Sequence, residues 1–241
     1  MQTIYGIRSV IETIEAGKTV EKVIIKKGTS GDLIKELLDL VKDKNIHFIH
    51  AHADRFLKFR NKNHQGVVAY VSAITYQQID DVIQNAFENG EHPLVLICNG
   101  ITDVRNFGAI VRSAECFGAH AVVMPSKGSA SINADAIKTS AGALNTLPIC
   151  KSERLSDTIK YLKNAGLKVI AATEKADKRI DQLDLNMPLA VILGNEGEGV
   201  SEKLIQAADE QAKIPMLGKI ASLNVSVSAG VILYETLRQR L

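Results

Sequence analysis

Hydrophobic and polar positions alternate along residues 1–72 with two different periods. Apolar residues recur every three or four positions in two segments, which predicts helices, and they form short β-branched runs in three others, which predicts strands. The pattern predicts a small N-terminal α/β domain. Its predicted helices cover residues 4–16 and 32–41, and its predicted strands cover residues 23–25, 46–49 and 67–71.

The segment 73–92 is more polar than the residues around it. Its apolar positions Ile79, Val82, Ile83 and Phe87 nevertheless keep helical spacing. We therefore expect a linker that folds as a helix.

A longer alternation of strands and helices begins at Pro93. Its strands are continuously apolar, as in LAVILG at residues 189–194, and such strands are typical of a parallel sheet covered by helices on both faces. A second, larger α/β domain over residues 93–241 is predicted. Its strands are expected at residues 94–98, 121–124, 147–150, 168–172 and 189–193, and its helices at residues 107–117, 134–143, 155–165, 201–208 and 227–240.

The composition is that of an ordinary globular protein, with 241 residues of which 46% are hydrophobic and 5% aromatic. Cys98, Cys116 and Cys150 are odd in number and form no CxxC pair, so they indicate neither a disulfide framework nor a zinc site. Each is predicted to be a core residue. Because no stretch of about 18 apolar residues occurs, we expect a soluble cytoplasmic protein with no membrane segment.

The net charge of +2 is unevenly distributed. Residues 1–72 carry 12 Lys and Arg, 8 Asp and Glu and four of the six histidines, whereas the remainder carries 17 basic and 19 acidic residues. A basic first part is typical of a domain that binds a polyanion such as nucleic acid, although a solvated surface can show the same excess by chance.

Two polar loops follow predicted strands, where open α/β sheets bind their ligands, and a third polar loop precedes the last predicted helix. In the first, Asn106 is predicted to cap a helix that carries Gly108 and Arg112. The second is GNEGEGVS at residues 194–201, and the third contains Ser222-Leu223-Asn224. Neither a P-loop nor a dinucleotide-binding motif is found in these loops. The acidic, glycine-rich loop at residues 194–201 is better suited to a cationic or hydroxylated ligand than to a phosphate. Alternatively, its glycines only allow a tight turn.

These three loops resemble, in order, the three signature motifs of the SpoU (TrmH-type) branch of the SPOUT RNA methyltransferases. The matching residues are Asn106, Gly108, Ala109, Ile110 and Arg112; Ile192 to Gly199; and Ile214, Pro215, Met216 and Ser222 to Ser226. Tyr5-Gly6 and His64-Gln65-Gly66 resemble the small substrate-binding domain of the RlmB-type members. The resemblance implies a SPOUT domain with a trefoil knot, a small N-terminal substrate-binding domain, and a homodimer that forms partly through the last helix.

The resemblance also implies an activity. It points to 2′-O-methylation of a ribose, of a guanosine in 23S ribosomal RNA for the most similar members, with S-adenosylmethionine as the methyl donor. The cofactor would contact Gly194, Ile214 and Leu223, and no metal is implied.

The implied catalytic residues are Arg112, Asn106, Glu196, Ser222 and Asn224. In the family the arginine activates the 2′-hydroxyl, the asparagine and glutamate arrange the site, and the third-motif residues line it. Since an arginine pKa lies above about 12, we interpret Arg112 as a cation that grips a phosphate and stabilises a developing alkoxide rather than as a base.

Other functions remain open from the sequence. The same chemistry could act on a transfer RNA or another ribosomal site, or the chain could be a ribosome assembly factor that binds RNA without turnover. A third possibility is a nucleotide-binding α/β enzyme that does not act on RNA. That function would not explain the basic N-terminal domain.

A histidine-rich strand and a basic cluster mark the N-terminal domain. His47, His50 and His52 lack the further ligands of a familiar metal set, so an RNA-facing surface or plain surface histidines are more reasonable. Lys26-Lys27 and the basic residues of 55–62 can contact RNA phosphates. The interleaved Phe56 and Phe59 either stack on bases or belong to the core.

Overall fold

The structure is a computed structural model that describes residues 2–195, 197–220 and 222–241. It contains two compact units, Met1–Thr75 and Tyr76–Leu241. Each unit has its own sheet and its own core, so each is described by itself.

The first unit is built on a four-stranded mixed sheet with the strand order β1-β4-β2-β3. β2 and β3 run parallel, and the other neighbouring strands run antiparallel. The strands are β1 (Gln2–Tyr5), β2 (Val20–Lys26), β3 (Phe48–Ala51) and β4 (Val67–Val71), the helices are α1 (Ile7–Glu15) and α2 (Asp32–Asp43), and Ala53–Phe59 is a 3-10 helix.

The apolar run of β2 serves both faces of this sheet. Val23 and Ile25 share a core with buried residues of α1 and α2, whereas Ile24 packs on the other face with Phe56 and Phe59 of the 3-10 helix. Since neighbouring strand residues point to opposite faces, three consecutive apolar residues indicate a strand that is covered on both sides. The predicted small α/β fold is confirmed.

The predicted helix over residues 4–16 is wrong at its start. Residues 2–5 form β1, which pairs with β4, and α1 begins only after Gly6. Gly6 has φ 91°, a left-handed conformation that ends one element before the next begins. Ile4 and Tyr5 fit helical spacing, but strand pairing decides their structure.

The second unit is built on a six-stranded sheet with the order β10-β8-β9-β5-β6-β7, in which all pairs are parallel. Its strands are β5 (Leu94–Asn99), β6 (Ala121–Pro125), β7 (Ile149–Ser152), β8 (Lys168–Ala172), β9 (Leu189–Gly194) and β10 (Glu210–Ala212). Its helices are α3 (Ile79–Glu88), α4 (Val104–Cys116), α5 (Ala134–Thr139), α6 (Leu155–Asn164), α7 (Glu202–Ala207) and α8 (Val225–Arg240), and Ala143–Asn145 and Ile180–Gln182 are 3-10 helices.

Helices cover both faces of this sheet. Val95 and Ile97 of β5 share a core with Val82 and Ile83 of α3. The alternate residues Leu96 and Cys98 point to the opposite face, and both are buried. The predicted parallel sheet covered by helices is confirmed, and the helical spacing of segment 73–92 corresponds to α3, which packs into the core of the second unit.

Several boundaries differ from the prediction for local reasons. The predicted helix 134–143 ends at Thr139, because Ala141 and Gly142 have left-handed φ angles of 50° and 98°. The three-residue strand β10 carries the polar sequence EQA, which gives no strand signal.

Among the described residues, no helix has both the length and the apolar character needed to cross a membrane. The trefoil knot stays a prediction.

Candidate active site

A cleft of about 650 Å³ lies beyond the carboxyl ends of β8, β9 and β10. Its wall also includes the segment 222–225 and the first turns of α8. Five of the predicted site residues line it: Gly194, Ile214, Ser222, Leu223 and Asn224. The second and third predicted loops therefore meet in one cleft, as the strand-end rule for parallel sheets predicts.

Gly194 ends β9 where another part of the chain passes close by. A Cβ atom at this position would lie 2.0 Å from the carbonyl carbon of Gly199 and 2.2 Å from the backbone nitrogen of Val200. Both neighbours are backbone atoms, so no side-chain rotation can relieve the clash. Position 194 therefore requires glycine, and the reason lies in chain packing.

The side chain of Asn195 holds the loop that follows. Its Oδ1 accepts hydrogen bonds from the backbone N–H groups of Gly197 at 2.9 Å and Glu198 at 2.7 Å, and its carbonyl accepts from Gly199 N–H at 3.0 Å. These bonds tie Gly197, Glu198 and Gly199 to Asn195. Glu196, a predicted catalytic residue, lies outside the described residues.

Asn106 and Asn224 are 118 positions apart in the chain and meet directly. Asn224 Nδ2 donates to Asn106 Oδ1 at 3.1 Å. Asn224 is also the N-cap of α8, where its Oδ1 accepts from the Ser226 backbone N–H at 2.9 Å and from Ser226 Oγ at 2.6 Å. The first predicted loop is thereby joined to the third.

The predicted capping role of Asn106 is wrong. α4 begins at Val104, and its cap is Asp103, whose Oδ1 accepts from the backbone N–H groups of Arg105 and Asn106 at 2.9 and 2.8 Å. Asn106 lies in the first turn of α4, and its Oδ1 accepts from Asn224.

Arg112 is exposed on α4 and is not part of the cleft lining. It follows Asn106 by six residues, which corresponds to about 120° around a helix of 3.6 residues per turn. The two side chains therefore leave α4 in different directions. Within the described part of the chain, Arg112 has neither a hydrogen bond nor an ion pair, so its guanidinium is available to a ligand.

Gly108, between these two residues, allows α4 to approach α5 closely. A Cβ atom there would lie 2.7 Å from the carbonyl oxygen of Ala136 and 2.9 Å from Cβ of Thr139. The glycine of the first motif is thus explained by helix packing.

The lining of the cleft combines apolar and charged side chains. Leu193, Ile214 and Leu223 give apolar surface, and the charged residues are of both signs: Glu174, Glu198, Lys175 and Lys213. Drug-sized ligands occupy cavities of about 300–1,000 Å³ with this kind of lining. The residues present therefore fit a ligand with a flat apolar part and charged groups of both signs, as S-adenosylmethionine has with its adenine, sulfonium, ammonium and carboxylate groups.

Sequence reasoning missed several residues of this wall. Thr173, Glu174 and Lys175 directly follow β8, and Lys213 follows β10. The position after a predicted parallel strand was the signal that could have identified the first three. Lys213 gave no signal because β10 was not predicted.

The cysteines only partly fit the prediction that all three are core residues. Burial raises the pKa of the Cys98 thiol to about 12, and burial followed by the charge of Asp80 raises the pKa of Cys150 to about 12. Both remain thiols at neutral pH. The prediction is wrong for Cys116, which is exposed at the end of α4.

In the N-terminal unit, Phe56 and Phe59 are 4% and 9% exposed. They belong to the core beneath the 3-10 helix and cannot stack on bases. No group of three or more His, Cys, Asp or Glu side chains among the described residues is arranged to hold a metal ion.

The fold and the cleft together define an α/β enzyme with a small basic domain attached. Residues 93–234 match the model of the SpoU rRNA Methylase family, and residues 3–77 match that of the RNA 2′-O ribose methyltransferase substrate-binding domain. The chain belongs to the SpoU rRNA methylase family and is an RNA 2′-O-methyltransferase.

Individual relatives agree over nearly the whole chain. The putative TrmH family tRNA/rRNA methyltransferase YacO of Bacillus subtilis is 32% identical over 98% of this chain and 95% of its own. The 23S rRNA (guanosine-2′-O-)-methyltransferase RlmB of Neisseria meningitidis is 35% identical over the same shares. The SpoU methyltransferase AviRb from Streptomyces viridochromogenes, solved with the cofactor AdoMet, has a TM-score of 0.63 and 25% identity over 99% of this chain and 90% of AviRb.

Proposed function

We propose that this enzyme methylates the ribose 2′-hydroxyl of a guanosine in 23S ribosomal RNA. The observation that supports it most directly is the likeness to the meningococcal RlmB over 98% of this chain and 95% of that relative. The basic N-terminal unit agrees with an RNA substrate, since Lys and Arg side chains neutralise backbone phosphates.

S-adenosylmethionine is the methyl donor. The backbone of Gly194 and the side chains of Ile214 and Leu223 would hold its adenosine part, because all three line the cleft and two of them are apolar. Glu174 and Glu198 would favour the positively charged groups of the cofactor, and Lys175 and Lys213 of the same lining would favour its carboxylate. When bound, the cofactor supplies a methyl group whose bond to sulfur breaks as the bond to the ribose oxygen forms.

The chain's own residues would orient the hydroxyl and stabilise its oxygen. Asn106 and Asn224 form one hydrogen-bonded pair beside the cleft, and Ser222 adds a hydroxyl to the same wall. Orientation of this kind can contribute several kcal/mol to lowering a barrier. We assign Glu196 to the same arrangement on its place in the second motif.

Arg112 would act on the RNA rather than on the cofactor. Its guanidinium is exposed and lies outside the cleft lining, so it is available to a phosphate next to the reacting ribose. A fixed cation there would stabilise negative charge on the 2′-oxygen as the proton leaves to water.

We propose that the enzyme is a cytoplasmic homodimer formed partly through α8. Val227, Val231 and Tyr234 follow one another at i, i+4 and i+7, and they are 50%, 38% and 58% exposed. An apolar stripe of this kind on a helix surface is typical of a contact with another protein surface. A second copy of the chain is the partner expected of this stripe.

A transfer RNA is the second candidate substrate, because the name of YacO includes both RNA classes. Incubation with labelled S-adenosylmethionine and, separately, unmodified 23S, 16S and transfer RNAs distinguishes the two. We expect label only in 23S RNA, at a guanosine 2′-O position. Label only in transfer RNA would overturn the proposed substrate.

A further inference from the structure

A lysine and a histidine meet at one end of the N-terminal sheet. Lys27 Nζ and His52 Nε2 are 2.9 Å apart. The parallel register pairs Lys26 with Ala51, and Lys27 N–H donates to the Ala51 carbonyl at 2.9 Å, so the residues that follow the two strands are held side by side. Strand pairing thus brings the two residues together, and their side chains meet on the exposed surface.

This pair has no acidic partner. Within the described residues, neither Lys27 nor His52 has a hydrogen bond or an ion pair to a carboxylate. An ammonium group can only donate, so in a hydrogen bond between the two groups Nε2 of His52 would be the acceptor. Two groups that can both be cationic are therefore in contact at an exposed position, which is an arrangement that an anion would stabilise.

Neighbouring loops add positive charge at the same end of the sheet. Lys26 N–H donates to the Gly66 carbonyl at 2.7 Å, which joins the loop before β4 to the end of β2. Arg55 N–H donates to the His52 carbonyl at 3.2 Å, which fixes the first turn of the 3-10 helix beside the pair. Arg60 and Lys62 lie in the loop that leads to Gly66.

We propose that Lys27 and His52 form a binding site for a backbone phosphate of the substrate RNA, and that His52 takes up a proton when the phosphate binds. This inference rests on the proposed action on RNA. A phosphate oxygen accepts from both groups once the imidazole is protonated, and it removes the repulsion that protonation would otherwise cause. RNA binding at this site is therefore linked to proton uptake, and it strengthens as the pH falls.

The contribution of His52 to the pH dependence of RNA binding must be distinguished from that of other titratable groups nearby. Lys26 and Lys27 come from the β2 side, His50 from β3 itself, and Asp54 and Arg55 from the 3-10 helix. Histidine is the residue type whose charge ordinarily changes between pH 5 and 8. His50 therefore needs its own control variant.

The test measures RNA affinity of the full-length protein by filter binding. The variants are Lys27→Met and His52→Gln, with Lys18→Met and His50→Gln as controls. Lys18 is exposed just before β2, at the opposite end of that strand, so its substitution removes the same charge from a different place. The probes are unmodified 23S ribosomal RNA and unmodified transfer RNA, each titrated over a range of salt concentrations and at pH 6, 7 and 8.

For Lys27→Met we expect the slope of log affinity against log salt to fall by about 0.7–0.9, the value for one lost phosphate contact. We expect wild-type affinity to rise several-fold from pH 8 to pH 6 and His52→Gln to abolish most of that rise. The Lys18 and His50 variants should behave like wild type. Thermal melting of each variant verifies that it is folded.

Failure of the phosphate site and failure of the proposed substrate give different results. If both site variants retain the wild-type salt slope and pH dependence, the phosphate site is refuted. If wild type binds transfer RNA but not 23S RNA, the proposed substrate is refuted, and the same comparison on transfer RNA still decides the phosphate site.

Discussion

Substitution of Arg240 tests how the last helix is fixed to the sheet that carries the cleft. Its Nη2 donates to the Met187 carbonyl at 2.7 Å, its Nη1 to the His92 carbonyl at 3.0 Å and its Nε to the Leu185 carbonyl at 3.3 Å. Burial lowers the pKa of this guanidinium, but an arginine still remains charged at neutral pH. One side chain thus joins the end of α8 to the segments that precede β5 and β9.

The size of the effect follows from these three bonds. A hydrogen bond that involves a charged group contributes about 1.5–3 kcal/mol, and water can replace part of the three bonds at a half-buried position. We therefore expect Arg240→Ala to lower the free energy of unfolding by about 2–4 kcal/mol. At about 2–4 °C per kcal/mol for a unit of this size, Tm should fall by about 5–15 °C.

Arg238→Ala is the matched control on the same helix. Arg238 donates to Glu235 from Nη2 at 2.7 Å and from Nε at 2.8 Å; its own side chain is 56% exposed, and that of Glu235 is 13% exposed. Gln239 Nε2 also donates to Glu235 at 2.8 Å, so Glu235 keeps a partner without Arg238, and this variant should lose less Tm than Arg240→Ala in differential scanning calorimetry. Equal Tm values for the Arg240 and Arg238 variants would refute the anchoring role of Arg240.

Four further predictions concern the site and the assembly. Arg112→Ala should abolish methyl transfer while RNA affinity in filter binding falls by no more than the loss of one phosphate contact; retained turnover would contradict its role. Asn224→Ala should slow turnover more than it weakens S-adenosylmethionine binding in calorimetry, with a loss of about 1 kcal/mol of stability from the missing helix cap. Deletion of residues 1–75 should weaken RNA binding without weakening cofactor binding, and unchanged RNA affinity would contradict the assigned role of this unit. Val231→Glu should convert the dimer into a monomer in light scattering, and a monomeric wild type would contradict the proposed interface.

The parallel sheet and the location of the cleft could be predicted because a strand that is buried on both faces is apolar at every position. LAVILG has no polar position, and a strand of this kind must be covered by helices on both sides. Loops after such strands lie at one edge of the sheet, which predicted where to look for a site, whereas the assignment of Gly194 and Asn224 to that site came from the family resemblance.

Predictions failed where contacts between distant residues decide the local structure. Ile4 and Tyr5 fit helical spacing, but pairing with β4 makes residues 2–5 a strand. Asn106 and Asp103 are both good capping residues, and only the start of α4 selects Asp103. Phe56 and Phe59 have basic neighbours in sequence, and only the fold shows that their rings point inward to the core.

The two ends of α8 have different roles: its start carries a residue of the candidate active site, and its end is fixed to the sheet. At its start, Asn224 caps α8 and bonds to Asn106 of α4. At its end, Arg240 bonds to carbonyls at the base of the sheet. A helix that is fixed at its far end keeps the angle of its first turn, and that first turn presents Asn224 to the cleft. Loss of Arg240 should therefore reduce the precision with which Asn224 is held, so its effect on turnover should exceed that of the Arg238 control even at temperatures where both variants are fully folded.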